Sequence, residues 1–102
     1  MAKGLITNLD KIFNHKVRLG IMSLLMLNEW VDFNTMKANL DNINDGTLAS
    51  HIKGLEKVAY LEIRKQFIGK KPNTSYRATK VGRKAFNDHL DGLEQLLKMR
   101  DE

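Results

Sequence analysis

Leu61-Glu62-Ile63-Arg64-Lys65-Gln66-Phe67-Ile68-Gly69-Lys70-Lys71-Pro72-Asn73-Thr74-Ser75-Tyr76-Arg77-Ala78 reads as a strand, a turn and a returning strand. From Leu61 to Phe67 the side chains alternate between apolar and polar, the period of a half-buried strand. Gly69 to Asn73 has the glycine and proline chemistry of a loop, and Thr74 to Ala78 extends again. The expected element is a β-hairpin with Lys70 and Lys71 at its tip.

Working outward from the hairpin, helical spacing dominates on both sides. Downstream, Thr79 is placed to cap a closing helix over about 80–100, in which Gly82, Phe86, His89, Leu90, Leu93, Leu96 and Leu97 form one stripe. Upstream, a helix begins after Asn44 and runs to about Val58. With Leu48 set at 0° and about 100° per residue, Ile52, Leu55 and Ala59 point inward while Gly46, Thr47, Ser50, Lys53, Gly54 and Lys57 point outward. Asp32 can cap a preceding helix with Phe33, Met36 and Leu40 on one face, after a short extended segment Trp30-Val31-Asp32. Asn14 is a candidate cap for a helix from about Lys16 to Asn28, whose Val17, Ile21, Leu24, Leu25 and Leu27 suit a central core position. Leu5, Ile6, Leu9, Ile12 and Phe13 have the spacing of a short amphipathic helix at the start.

Charge is unevenly distributed along this frame. Between His51 and Lys84 there are ten Lys or Arg against two acids, Glu56 and Glu62, an excess of +8. Residues 1–50 balance and residues 85–102 carry −3, which leaves the chain at +5. A local basic field of that kind is the footprint of a polyanion site, and duplex DNA is the first candidate.

Size and composition bound the alternatives. At 102 residues the chain is one domain, 1–102, too small to hold an added catalytic domain. With 42% apolar and 28% charged residues it is expected to fold as an ordinary globular domain. It contains no cysteine, so disulfides and thiolate sites are excluded, and a cytoplasmic location is expected. The apolar stretch from Val17 to Leu27 is too short to span a membrane, and the N-terminus has no signal-peptide pattern.

Three segments together resemble a known family. Asn14-His15-Lys16-Val17-Arg18-Leu19-Gly20-Ile21-Met22, Leu48-Ala49-Ser50-His51-Ile52-Lys53-Gly54-Leu55-Glu56, and Gly69-Lys70-Lys71-Pro72-Asn73-Thr74-Ser75-Tyr76-Arg77-Ala78-Thr79 with Gly82-Arg83 are similar to the small stand-alone winged helix-turn-helix transcriptional regulators of MarR and ArsR type. The resemblance covers about residues 14–90. It implies a mainly α (α+β) fold, a recognition helix over 45–58, a wing at 69–73, and a dimeric, prokaryotic, DNA-binding regulator. One departure is Ala59, where the pattern usually has glycine. A left-handed cap at alanine costs about 1 kcal/mol or more, which argues for a different helix end here.

On that frame the outward residues acquire roles. The first turns of a recognition helix enter the major groove, where Thr47, Ser50 and Lys53 could reach base edges and Lys57 the flank. Gly46 would bring a backbone amide to a phosphate, and Gly54 allows close approach. Lys70 and Lys71 suit a minor groove or phosphates, with Arg64, Lys65 and Arg77 lining the backbone beside them. Leu5, Leu9, Ile12, Phe86, Leu90, Leu93 and Leu97 exceed the needs of so small a core and suggest pairing across a two-fold axis.

Rival chemistries have little support. Ser50 and His51 are adjacent on a helix and therefore diverge, so no nucleophile and base are paired and no enzyme is expected. Asp88, His89 and Asp91 are similar to closing-helix ligands of some ArsR-type sensors, but lack a partner pair at ligand spacing, so no metal or cofactor is expected. No residue marks a small-molecule effector site. The alternative to DNA reading is a winged-helix module that binds another protein.

Overall fold

The computed structural model describes residues 6–100. A 3-10 turn, Lys11–Phe13, precedes helix α1, Lys16–Leu27, and a short strand β1, Val31–Asp32. Helices α2, Phe33–Ala38, and α3, Asp45–Lys57, lead into strands β2, Leu61–Ile68, and β3, Lys71–Ala78, and the long helix α4, Lys80–Arg100, closes the chain. The strands form one antiparallel sheet in the order β1-β3-β2, with Val31 opposite Tyr76 and Leu61 opposite Ala78. This is the winged helix-turn-helix architecture, with α2 and α3 as the two-helix unit and β2–β3 as the wing.

The helix starts follow local hydrogen-bond chemistry. The Asp32 carboxylate accepts from the Thr35 amide at 2.9 Å, and the hydrogen bonds from Thr35 hold it below the usual carboxylate range. The Asn44 side chain accepts from the amides of Gly46 and Thr47, opening α3. Between those helices, Asp41 and Asn42 turn the chain at φ 57° and 56°, a region that Asn and Asp enter at lower cost than other side chains. Helix α1 departs from expectation: its cap position is His15 with no side-chain bond, and Asn14 instead closes the preceding 3-10 turn. Among the described residues, Ile6 to Phe13 are likewise turns and a 3-10 turn rather than an amphipathic helix, because the Asp10 side chain caps at Ile12 while its own amide is bonded to His89 of α4.

Phe13, Ile21, Met22, Leu25, Met36, Leu48 and Leu55 are fully buried at the centre. Ile52, Leu61, Tyr76, Ala78 and Phe86 extend that core to the sheet and the first half of α4. Burial of each large aliphatic side chain stabilises the fold by about 1.5–3 kcal/mol. Leu27, expected inside, is exposed at the last position of α1.

Where α3 gives way to the wing, the expectation of a different helix end is wrong. Ala59 adopts the left-handed conformation at φ 63°. The Tyr60 amide reaches back to the Leu55 carbonyl at 2.9 Å and the Ala59 amide to Glu56 at 2.8 Å, the paired bonds of a Schellman cap. The neighbouring bonds hold it there. Thr79 donates its hydroxyl to the Ala59 carbonyl at 2.6 Å and its amide to the Tyr60 carbonyl at 3.1 Å, while its Oγ1 accepts from Gly82 and so opens α4. A Cβ on Gly82 would collide with the Tyr60 carbonyl, so only glycine lets α4 approach this closely. The Tyr60 hydroxyl donates to Asp10, and burial first, then that carboxylate, pushes the phenol up to about 12, keeping it a donor.

Helix α3 is braced from α1. Arg18 donates from Nε to His51 Nδ1 at 3.0 Å and from Nη1 to the Ile12 carbonyl at 3.4 Å. Its guanidinium occupies the space a side chain at Gly54 would need, since a Cβ there would lie 2.6 Å from Nη2. The His15 ring lies 5.0 Å from that of His51. Burial first, then the Arg18 charge and His15, holds the His51 pKa below its usual value of 6.5.

Two outcomes follow from these contacts. Ala59→Gly relieves the left-handed strain and raises unfolding stability by about 0.5–1 kcal/mol, after the extra chain entropy of glycine is offset. Urea denaturation measures this, and an unchanged midpoint would show that the cap carries no strain. For His51, a lowered folded pKa means stability is full above about pH 6.5 and declines as pH falls toward the folded value. Thermal midpoints over about pH 5–8 should therefore fall less steeply for His51→Gln than for the parent.

Candidate nucleic-acid interface

The outward face of α3 is open. Gly46, Thr47, Ser50, Lys53 and Lys57 are all exposed, with their backbones fixed by the buried Leu48, Ile52 and Leu55 on the opposite side. Asp45, the only acid in the first turn, is paired with Lys37 of α2 at 2.6 Å, which offsets a negative charge at the end that would approach phosphates. The face therefore presents two hydroxyls, two ammonium groups and no uncompensated acid until Glu56.

Two glycines of this helix do different work from that expected. The Gly46 amide is occupied by the Asn44 cap at 2.8 Å, so it is not a free phosphate donor. Gly54 is half-buried against Arg18 rather than turned outward. Its missing side chain seats the Arg18 brace behind α3. In sequence the signal was only a costly glycine in a helix, and the partner 36 positions upstream could not be inferred from spacing.

The wing is longer and tighter than a five-residue loop. All eight residues of β2 pair with β3, from Leu61–Ala78 to Ile68–Lys71, leaving only Gly69 and Lys70 as the turn. Gly69, at φ 65°, takes the left-handed position that a two-residue hairpin requires. Lys65, Lys70 and Lys71 are exposed along this arm and at its tip.

Strand alternation divides the remaining basic residues between two faces. Ile63, Lys65, Thr74 and Tyr76 share one face, and with Ala49, Ile52, Lys53 and Glu56 of α3 they line a groove of about 600 Å³. Lys53 and Lys65 thus flank the same groove from helix and wing. Arg64 and Arg77 lie on the other face, where their guanidinium carbons stand 4.1 and 4.7 Å from the centre of the Trp30 ring. Arg77 is also ion-paired to Glu62, its cross-strand neighbour, and donates from Nε at 2.6 Å. Arg64 and Arg77 therefore belong to the back of the wing and do not line the groove beside α3. Trp30 was the missed partner, because its place opposite Arg77 depends on the pairing of β1 with β3.

The expected subunit-contact residues also separate. Leu5 lies outside the described residues. Phe86 is 4% exposed and packs edge-on against Phe13 within its own core, so it is not available to a partner. Ile12 packs on the same core, and Leu9 is half-buried over Gly92 of α4. Leu93 is half-buried, while Leu90 and Leu97, 42% and 56% exposed, continue the apolar stripe along the outer half of α4. His89 is buried and accepts from the Asp10 amide at 2.9 Å. Among the described residues no three His, Asp or Glu side chains are grouped to hold a metal ion. Nor is any helix among them long and apolar enough to cross a membrane.

Comparison with known proteins agrees with this geometry. An uncharacterized protein of Methanocaldococcus jannaschii is 39% identical over 88 residues, covering 86% of this chain and 95% of the relative. Among solved structures, a transcriptional regulator homologue from Pyrococcus horikoshii OT3 aligns with a TM-score of 0.84 at 28% identity, over 98% of this chain and 96% of that one. A protein of Enterococcus faecalis V583 assigned to the MarR family of transcriptional regulators aligns with a TM-score of 0.71 over 95% of this chain and 82% of its own, and at 21% identity that likeness is one of fold. The family of winged helix DNA-binding domains matches residues 17–97, from the start of the core helix to the outer turns of α4. With its two-helix unit, its hairpin wing and that match over most of its length, the chain belongs to the winged helix DNA-binding domain family.

Proposed function

We propose that this protein is a homodimeric transcriptional regulator that reads a roughly palindromic duplex site. The observation that carries the reading is the shared groove, lined by Lys53 from α3 and Lys65 from the wing. In this reading α3 lies in a major groove, where the Thr47 and Ser50 hydroxyls and the Lys53 ammonium group meet base edges. Lys57 and Lys65 neutralise the flanking phosphates, and Lys70 and Lys71 reach the backbone or minor groove beyond. Phosphate contacts supply most of the affinity and the base contacts supply discrimination.

The dimer would be built on the outer half of α4 through Leu90, Leu93 and Leu97, with Leu9 beside them. Helix α4 has 21 residues, a length of about 31 Å, and the molecule measures 59 Å along its longest axis. A helix projecting that far can pair with its copy while leaving both recognition helices free. Pairing must set those helices about 34 Å apart to meet successive major grooves on one side of the duplex.

Selection of duplexes from a random pool tests the site, and inverted half-sites about one helical turn apart are the expected product. Lys70→Gln with Lys71→Gln should weaken duplex binding and make its salt dependence shallower by about 0.9 for each phosphate that is no longer neutralised. Unchanged binding by that variant would remove the wing lysines from the interface, and a parent that binds no duplex would favour a protein-binding module instead. Leu90→Ser with Leu97→Ser should shift the sedimenting species from dimer to monomer without loss of helical signal, and a parent that sediments as a monomer would remove the two-fold model.

A further inference from the structure

We propose that the wing tip carries an apolar wedge, in which Phe67 enters the minor groove, partly unstacks a base step and bends the duplex. This rests on the DNA-binding reading above and adds a deformation to it. Phe67 is 74% exposed and Ile68 is 61% exposed, at the far end of β2. Being consecutive on a strand, they face opposite ways, so the tip is apolar on both sides. Pro72 stands opposite Phe67, and Lys71 opposite Ile68. The two-residue turn at Gly69 and Lys70 adds no side chain that would cover them beyond a single lysine.

Packing within the domain does not account for Phe67. Seven strand steps carry Ile68 about 24 Å from Leu61. On the back of the wing Ile68 borders a shallow pocket with Leu24 and Trp30, whereas Phe67, on the other face, is not part of the hydrophobic core. The surroundings select a nucleic acid as the occupant. From Ile63 through Asn87 the chain contains no carboxylate, and Lys65, Lys70 and Lys71 surround the apolar pair. An apolar tip ringed by cations complements a surface in which charged phosphate walls flank stacked, apolar bases. Phe, Ile and Pro are side chains that wedge between base steps from the minor groove. Phe67 also shares its strand face with Lys65, which borders the groove beside α3, so the wedge projects on the side where α3 meets the major groove.

The test uses a mixed-sequence duplex several helical turns long, at low salt, with a dye at each end and, in a second preparation, a fluorescent adenine analogue at a central TA step. The parent protein should shorten the end-to-end distance, corresponding to a bend of about 20° or more, and should brighten the adenine analogue. Phe67→Ala should still bind, with affinity lowered roughly tenfold, the reduction expected for one side chain–base stacking interaction, but without the bend or the brightening. Lys70→Gln with Lys71→Gln should lose affinity yet retain the bend in complexes formed at higher protein concentration. All three positions are exposed, so matching thermal midpoints will establish that the variants are folded. A parent that binds without bending, or a Phe67→Ala variant that bends like the parent, overturns the wedge and leaves the DNA-binding reading standing. A parent that does not bind the duplex overturns both.

Discussion

The junction of Ala59 and Tyr60 with Thr79 and Gly82 ties α3, the wing and α4 together. Both ends of the hairpin meet there: the chain enters β2 from the Schellman cap and leaves β3 into the cap of α4. Thr79 satisfies both carbonyls of the junction, at Ala59 and at Tyr60, and its hydroxyl also accepts from the first turn of α4. A left-handed alanine is tolerated because these bonds define the turn. The absence of a side chain at Gly82 brings the helix against the same carbonyl. Tyr60 carries the connection to the N-terminal segment through Asp10, so helix, wing, closing helix and leading segment share one point of reference.

A second constraint is the strand period. Alternation sends Ile63 and Lys65 toward α3 and Arg64 toward Trp30, and the same rule separates Tyr76 from Arg77 across the hairpin. Half of the strand cations thus become part of a cation–π layer on the back of the wing. The contribution of each such contact is about 0.5–1 kcal/mol at an exposed site, and its larger effect is geometric. It holds Arg64 and Arg77 against Trp30 on the back of the wing. The net positive field survives this division, since arginines stacked on tryptophan retain their charge.

Behind α3, Arg18 plays the complementary part. It crosses beneath Gly54, holds His51 and ties both to the Ile12 carbonyl, so that the outward face of α3 is backed by a braced contact rather than by apolar packing alone. That arrangement needs His51 neutral at Nδ1, which links the seating of the helix to proton concentration.

Much of this was legible without coordinates. Periodicity located α1, α2, α3 and α4 to within a few residues, Asp32 and Thr79 could be recognised as caps, and the hairpin could be read from alternation around Gly69. Those features are local, set by neighbours within a turn or a strand pair. The roles of Arg64, Arg77, Gly46, Gly54 and Phe86 were not legible in the same way. Each depends on a partner distant in sequence, such as Trp30 across the sheet or Phe13 across the core, or on a donor already taken, as at Gly46. Composition and order by themselves determined a small basic domain of helices with one hairpin. Which cations face the groove, which are spent on a tryptophan, and which leucines remain uncovered were decided only when the three strands paired and α4 closed on Tyr60, because register and close packing are relations between segments that no single segment encodes.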